Sequence, residues 1–417
     1  MIIQKLMTLS GIILIFTLVW LFSEDRKKFP WRIVFWGLIW QFSVAIFVLN
    51  VPAGVWFFHW LGERMTEFLN FSKKGSAFLF GNLGSSDGQS VFGFQFAIIV
   101  TSTVIFVSSF VAVLYHYRIM QKVVYAVAWV MAKTMGTSGA ETLAASGHIF
   151  MLGQTESPLL IRHYLNKCSK SEINTIMVGG FATIAGGVMA AYIQMGIPAS
   201  ILIISSLISA PGSLMLSKIL IPPTSDSLPI SSLKNIDTPQ SKNALEAVSH
   251  GASEGMKLSI NIIAMLLAFL ALIAVVDGGL GELHKWFASV GFIYFPNNLK
   301  EILGYAIYPF AWLLGLTGND AYYFSTLVGT KIGINEFIAY LDASQLIKSG
   351  AISQRTAVLA SYALCGFSNF SSIAIQIGGI GSLVPEKRST LAQLGLKAMF
   401  IGALTNILTA FIASLLT

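Results

Sequence analysis

Apolar stretches of 18 residues or more recur from one end of the chain to the other, each long enough to cross a hydrocarbon core of roughly 30 Å as a helix. The pattern predicts spans at about Ile2 to Phe22, Trp31 to Val51, Phe92 to Tyr115, Ile173 to Met195, Ala199 to Leu220, Leu258 to Val276, Thr356 to Gly378 and Leu391 to Leu416. A polar, Gly-rich stretch from Thr66 to Ser90 separates the second span from the third. Two other segments are apolar at their ends but polar in the middle. Thr137 to Leu165 is broken by Gly153-Gln154-Thr155-Glu156-Ser157-Pro158, and Leu316 to Leu341 is interrupted in the second half. Non-helical backbone at membrane depth is tolerated only where protein or a wet cavity covers it, so both segments read as helical hairpins that enter and return on one side. The expected fold class is an all-α integral membrane protein with about eight spanning helices plus two re-entrant helical hairpins in inverted repeats. An internal echo supports the repeat: Gly180-Phe181 and Gly366-Phe367 each open a Ser/Thr/Gly-rich stretch in the span after a hairpin.

Charge sets the orientation. Only 11% of the 417 residues are charged and 55% are hydrophobic, far from the roughly 25% charged of soluble domains. Of the 26 Lys and Arg, 17 fall on segments that the spans place in the cytoplasm, beginning with Arg26, Lys27, Lys28 and Arg32. Both termini are therefore expected outside and the Pro/Ser-rich linker from Pro222 to Asn243 inside, in a multi-pass protein of the plasma membrane or bacterial inner membrane. The first span lacks an A-x-A-like cleavage site and is too long for the apolar core of a signal peptide, so it is expected to stay as a helix. The net charge of +7 fits basic cytoplasmic loops facing anionic membrane lipid and does not call for nucleic acid. Cys168 and Cys365 are too few for a disulfide framework or a cysteine zinc site.

Two carboxylates sit at the interruptions, Glu156 and Glu336. A charge at the centre of a membrane helix costs roughly 2.5 to 3.5 kcal/mol on insertion scales, so each should face a partner, a cavity or a ligand. Helix N-termini or amides could satisfy them structurally. Alternatively they bind a ligand, alongside the neutral groups Gln154, Thr155, Asn369, Ser371 and Ser372, and a molecule rich in hydroxyls and amide-like edges would suit that set. Phe367 would offer a face to a planar base or serve as packing. Neither a G-x-x-x-x-G-K-[ST] loop nor an H-E-x-x-H helix is present in the sequence, so the driving energy should come from an ion gradient. An intramembrane enzyme using Glu156 and Glu336 as an acid/base pair is the alternative.

Four ordered motifs carry a resemblance. Gly153-Gln154-Thr155-Glu156-x-Pro158-Leu159, Ala182-x-Ile184-Ala185-Gly186-Gly187-Val188, Asn335-Glu336-Phe337-x-Ala339-Tyr340 and Cys365-Gly366-Phe367-x-Asn369-x-Ser371-Ser372-Ile373-Ala374-Ile375 resemble the concentrative nucleoside transporter family, from about Gly11 to the C-terminus and most closely its shorter bacterial members. The resemblance implies a cation-coupled nucleoside symporter working by alternating access, taking a uridine-like substrate without an organic cofactor, and assembled as a homotrimer of subunits with scaffold and transport domains. It implies mainly scaffold helices with an interfacial segment over 1–136, the first hairpin and two transport-domain spans over 137–221, and a cytoplasmic linker over 222–243. A scaffold span and connecting segments follow over 244–315, then the second hairpin and two transport-domain spans over 316–417. Carried over by position, Gln154, Thr155 and Glu156 would meet the nucleobase side, and Glu336, Asn369 and Ser372 the ribose hydroxyls. Phe367 and Val188 would flank base and sugar, and Gly153 occupies a position that varies with base selectivity.

One departure concerns the coupling ion. Where sodium-coupled members carry an Asn before the motif glycine, this chain has Ile149, or His148 if one residue is inserted. The other cation positions are retained as Leu152, Thr183 and Ile184, where backbone carbonyls could supply contacts. The coupling ion is accordingly expected to be Na+ or H+, with His148 either a protonation site or a polar lining residue.

Overall fold

A computed structural model describes residues 2–85, 95–223, 241–292 and 295–417, and every regular element among the described residues is helical. The chain opens with α1 (Ile2–Leu21) and α2 (Trp31–Leu49). Next come α3 (Pro52–Asn70) and α4 (Ser72–Phe80), so much of the stretch expected to be a polar connection from Thr66 is helix. Its end at Ser90, and the Phe92 start assigned to the third span, lie outside the described residues, and α5 runs Phe96–His116. A left-handed Arg118 (φ 58°) turns the chain into α6 (Ile119–Met135), which Gly136 (φ 73°) closes.

Both interrupted segments fold as helical hairpins. In the first, α7 (Gly139–Ile149) is started by Glu141, whose Oε1 accepts from the Ser138 N–H at 2.9 Å. The chain returns through a tight turn, Ser157–Ile161, and a last helical turn, Arg162–Leu165, and Ser157 Oγ donates to Ala144 O at 2.6 Å to tie the arms. The second hairpin is α13 (Gly318–Gly333) and α14 (Glu336–Lys348), so it runs beyond the expected end at Leu341. Asn335 caps α14, accepting from the Ile338 N–H at 2.9 Å.

The spans after the hairpins are not continuous, as the apolar runs Ile173 to Met195 and Thr356 to Gly378 had suggested. Each is a pair of half-helices: α8 (Lys170–Ala182) with α9 (Gly186–Gln194), and α15 (Gln354–Leu364) with α16 (Phe370–Leu383). A break leaves helix-end carbonyls without partners, which inside a membrane protein must be satisfied by side chains. Asn406 meets that need at both breaks: its Nδ2 donates to Ala182 O at 2.7 Å and to Cys365 O at 2.8 Å, while Ser368 Oγ donates to Phe181 O at 2.8 Å. A Cβ on Gly366 would lie 2.4 Å from Asn406 Oδ1 and 2.6 Å from Phe181 O, so only glycine permits this approach.

Asn406 lies on the C-terminal helix α17 (Arg388–Leu416), which packs against α8, α15, α16 and α10 (Ala199–Leu220). The expected span Leu258 to Val276 is the middle of a 46-residue helix, α11 (Ala244–Ser289), about 69 Å long at 1.5 Å per residue. A shorter helix, α12 (Leu299–Leu313), precedes the second hairpin. The 222–243 linker lies mostly outside the described residues, at 224–240.

Among the described residues, seven helical stretches are long and apolar enough to cross a bilayer: α1, α2, α5, α8 with α9, α10, α11, and α17 with its leading turn. Burial sorts them into two layers. The most apolar windows of α8–α9, α10 and α17 are buried over 94%, 83% and 78% of their length, those of α1, α2, α5 and α11 over 33% or less. The first group is the protein interior, whereas the second exposes apolar faces of the kind that lipid covers.

The basic residues gather. Lys170 and Lys397 donate from Nζ to Glu24 at 2.8 and 3.2 Å, Arg32 donates to the carbonyls of Lys133 and Thr134, and Lys387 to that of Cys168. Glu24 lies in the loop between α1 and α2. Burial works against its charge, but the ammonium groups of Lys170 and Lys397 outweigh that and hold its carboxyl below the ordinary range.

Candidate functional site

The tip of the first hairpin meets both broken helices. Met151 O accepts from the Gly186 N–H at 2.7 Å, and a Cβ on Gly153 would lie 3.0 Å from that of Ala185, which sets the tip against the first break. Gln154 is buried between the two halves. Its Nε2 donates to Ser372 Oγ at 3.3 Å, its Oε1 accepts from Gln376 Nε2 at 3.1 Å, and α8 leaves room for it at Gly180. Thr155 packs on α16, its Cγ2 2.3 Å from where a Cβ on Gly379 would stand. Glu156 has one oxygen held by the Gly153 N–H at 3.1 Å, but the residue itself is exposed, within electrostatic reach of Tyr115 and Glu254.

The second carboxylate is enclosed. Glu336 begins α14, where the helix dipole favours a negative charge, and is 3% exposed. Its Oε2 accepts from Asn369 Nδ2 at 2.6 Å and its Oε1 from Tyr192 OH at 3.2 Å. Asn369 caps α16, its Oδ1 accepting from the Ser372 N–H at 2.9 Å and from Ser371 Oγ at 2.7 Å, which fixes the direction of its amide. The structure thus joins Gln154 to Ser372 and Glu336 to Asn369 directly. Phe367 lies buried in the second break, and Val188 is buried in the first turn of α9.

The cation candidates behave differently from one another. His148 is fully buried, with its ring against Gly179 of α8 and its Nδ1 2.9 Å from Leu152 O. A carbonyl only accepts, so Nδ1 carries the hydrogen; Nε2 makes no hydrogen bond of normal geometry, with the Ile176 backbone near the ring. Thr183, whose Oγ1 donates to Gly179 O at 2.8 Å, and Ile184 are buried at the first break. Ile149 turns its side chain elsewhere, into an apolar cavity lined by Trp40, Val127, Leu207 and Pro211.

Comparison with known proteins names this arrangement. The family descriptions "Na+ dependent nucleoside transporter" match residues 10–83 at the N-terminus and 201–414 at the C-terminus, and "Nucleoside recognition" matches residues 97–199. The chain belongs to the Na+-dependent nucleoside transporter family. Within this family it is 39% identical over 427 residues to the sodium/nucleoside cotransporter 1 of Rattus norvegicus, covering 99% of this chain and 64% of the relative. With the solute carrier family 28 member 3 of Eptatretus stoutii the identity is 40%, covering 97% of this chain and 60% of the relative. The chain therefore spans less than two thirds of those vertebrate relatives. It matches the uncharacterized transporter YutK of Bacillus subtilis at 39% identity over 98% of both chains. The solved structure of CNTnw in an inward-facing substrate-bound state is 35% identical and covers 99% of both chains, with a TM-score of 0.91. An outward-facing state of a doubly substituted CNTnw gives a TM-score of 0.93 at 35% identity, over 100% of this chain and 99% of that one. These relatives are transporters, which removes the intramembrane-enzyme alternative.

Four members of the cluster in this nucleoside transporter family protein were not picked out from the sequence: Tyr192, Gln376, Lys331 and Asn406. Tyr192 and Gln376 read as ordinary span residues, because nothing in the sequence places them opposite Glu336 or Gln154. Lys331 carried a usable signal: a lysine inside an apolar, interrupted segment is costly. Its Nζ donates to Ala363 O at 3.0 Å and to Asn406 Oδ1.

Proposed function

We propose that the protein imports nucleosides by alternating access, binding a uridine-like nucleoside between the two hairpin tips and the two broken helices. The observation that carries this reading is the hydrogen bond from Gln154 to Ser372, which joins the first hairpin to the second broken helix across the repeat. Around it stand the amides and hydroxyls that a base and a ribose would engage, and Glu336 offers a charged acceptor for hydroxyls. In this assignment Gln154, Thr155 and Glu156 meet the base, and Glu336, Asn369 and Ser372 the ribose, with Phe367 and Val188 flanking and Gly153 at a position that varies with base selectivity.

The coupling ion in this proposal is Na+, held near Leu152, Thr183 and Ile184. Backbone carbonyls and a hydroxyl are hard oxygen donors that suit such an ion. His148 holds the Leu152 carbonyl through Nδ1, and its Nε2 keeps open the reading in which a proton replaces the metal ion. The gathering of Glu24, Lys170 and Lys397 at one end supports a cytoplasmic basic face with both termini outside. Counting α15 with α16 as one crossing gives about eight spans, and a homotrimer would cover part of the exposed apolar surface of α11 at Leu267, Leu270, Leu272 and Val275. The test is uptake of radiolabelled uridine into proteoliposomes under imposed Na+ or pH gradients. Accumulation above equilibrium driven by Na+ is expected. No accumulation under either gradient would refute symport, and accumulation driven by the pH gradient alone would transfer the coupling to His148.

A further inference from the structure

One basic side chain is buried where the second repeat breaks. Lys331, in the last turn of α13, is 1% exposed, and its Nζ donates to Ala363 O, in the last turn of the half-helix α15, and to Asn406 Oδ1. The Glu336 carboxyl lies within electrostatic reach of the same Nζ. A half-helix C-terminus carries the negative end of the helix dipole and unpaired carbonyls, the environment in which transporters coordinate a cation.

The first repeat has the same plan. His148 lies in the last turn of α7, its ring Cδ2 2.8 Å from where a Cβ on Gly179 would stand, in the last turn of the half-helix α8. Each hairpin's first arm therefore sets one nitrogen-bearing side chain on the C-terminal turn of its own broken helix. The two ends differ in charge. At the end of α8 the carbonyls of Phe181 and Ala182 accept from the neutral donors Ser368 and Asn406. At the end of α15 the Cys365 carbonyl accepts from Asn406, and the Ala363 carbonyl receives an ammonium.

We propose that the Lys331 ammonium is a tethered cation, standing at the second break where the repeat plan would otherwise place a second free ion, so that the chain takes up a free coupling ion at the first break alone. This rests on the transporter reading above. A merely structural role makes a different demand, since a neutral donor of similar length would then serve as well as an ammonium.

The test uses thermal unfolding of the purified full chain without nucleoside, so its result is independent of what the protein transports. Wild type, Lys331→Ala and Lys331→Gln are titrated with NaCl, methylammonium chloride and choline chloride at constant ionic strength. Wild type should show one saturable stabilisation by Na+ and none by methylammonium. Lys331→Ala should unfold at a lower temperature and recover with methylammonium or additional Na+ in a saturable way, as a bound ligand requires, but not with choline. Lys331→Gln should not regain the wild-type midpoint without a small cation. In proteoliposomes the Hill coefficient of Lys331→Ala for Na+ should rise from about 1 toward about 2. The proposal is overturned if Lys331→Gln alone restores the wild-type midpoint, or if the cation titrations of Lys331→Ala superimpose on those of wild type. Should Lys331→Ala not fold, the same comparison on Lys331→Gln decides: a recovery specific to small cations supports the tethered ion, and superposition on wild type overturns it.

Discussion

Replacing Glu336 by Gln isolates charge from shape at the enclosed carboxylate. In the resting network Glu336 accepts from Asn369 at 2.6 Å and Tyr192 at 3.2 Å. A glutamine amide can keep both neighbours, its oxygen accepting from Asn369 Nδ2 and its nitrogen donating to the Tyr192 oxygen, so the fold should lose little. Glu336→Ala would instead leave the Asn369 donor buried and unpaired, at about 1 to 3 kcal/mol. What Glu336→Gln removes is a charged acceptor for the ligand. Hydrogen bonds to charged groups contribute about 1.5 to 3 kcal/mol, so nucleoside affinity should fall roughly 10- to 150-fold. The assay is a double cycle by calorimetry, crossing wild type and Glu336→Gln with uridine and its 2′-deoxy and 3′-deoxy analogues. Removing the hydroxyl that Glu336 bonds should weaken wild type strongly and the variant much less, because a site built for a hydroxyl is penalised when it is missing. Coupling near zero for both analogues, with the variant still folded, would make Glu336 a structural carboxylate held by Tyr192 and Asn369.

Three other perturbations follow from the geometry. Gly366→Ala forces a Cβ to within 2.6 Å of backbone at Phe181 O, so it should cost about 1 to 3 kcal/mol or more and lower the unfolding midpoint, whereas unchanged stability would contradict the close approach. Glu24→Gln should cost about 0.2 to 1 kcal/mol at neutral pH, as partly exposed ion pairs do. Because the folded carboxyl of Glu24 is depressed, its contribution is full above the ordinary carboxylate range and fades as the pH falls through the folded value, so the midpoints of variant and wild type should converge in acid. Cysteines at Lys27 and Thr417 test orientation: an impermeant thiol reagent on intact cells should label Thr417→Cys and spare Lys27→Cys, and the reverse pattern would invert the topology.

The hairpins were legible because their polar tips interrupt apolar runs, and Glu156 and Glu336 stood out because charge at that depth is expensive. The helix breaks were not legible from hydropathy alone: 183–185, Thr-Ile-Ala, sits inside an apolar run, and the Ser and Asn of 365–369 mark polarity without marking a break; only Gly180-Phe181 and Gly366-Phe367 pointed to the neighbourhood. What decides the breaks is a partner far away in sequence, Asn406, which no local pattern reveals. The full length of α11 was hidden for the opposite reason, as its polar ends continue as helix beyond the apolar stretch, started by the Asn243 cap on the Glu246 N–H.

Asn406 also bears on what can move. Because one amide satisfies both breaks, shifting α8 against α15 would strand buried carbonyls at about 1 to 3 kcal/mol each, so the two broken helices and α17 should travel together. The contact of α5 with α11 is equally committed: a Cβ on Gly251 or Gly255 would come within 2.6 to 2.7 Å of the α5 backbone. Between these two bodies lies a looser junction, where a Cβ on Gly187 of α9 would meet Val104 and Ser108 of α5 at 3.6 Å, ordinary contact with side chains only. That junction is where the proposed transport body would slide on its scaffold. A disulfide between Ser108→Cys and Gly187→Cys, where Ser108 Oγ lies 3.6 Å from the place of a Cβ on Gly187, should therefore stop uptake and a reductant should restore it. Uptake at the uncrosslinked rate with the disulfide fully formed would show that α5 moves with α9 and would place the boundary elsewhere.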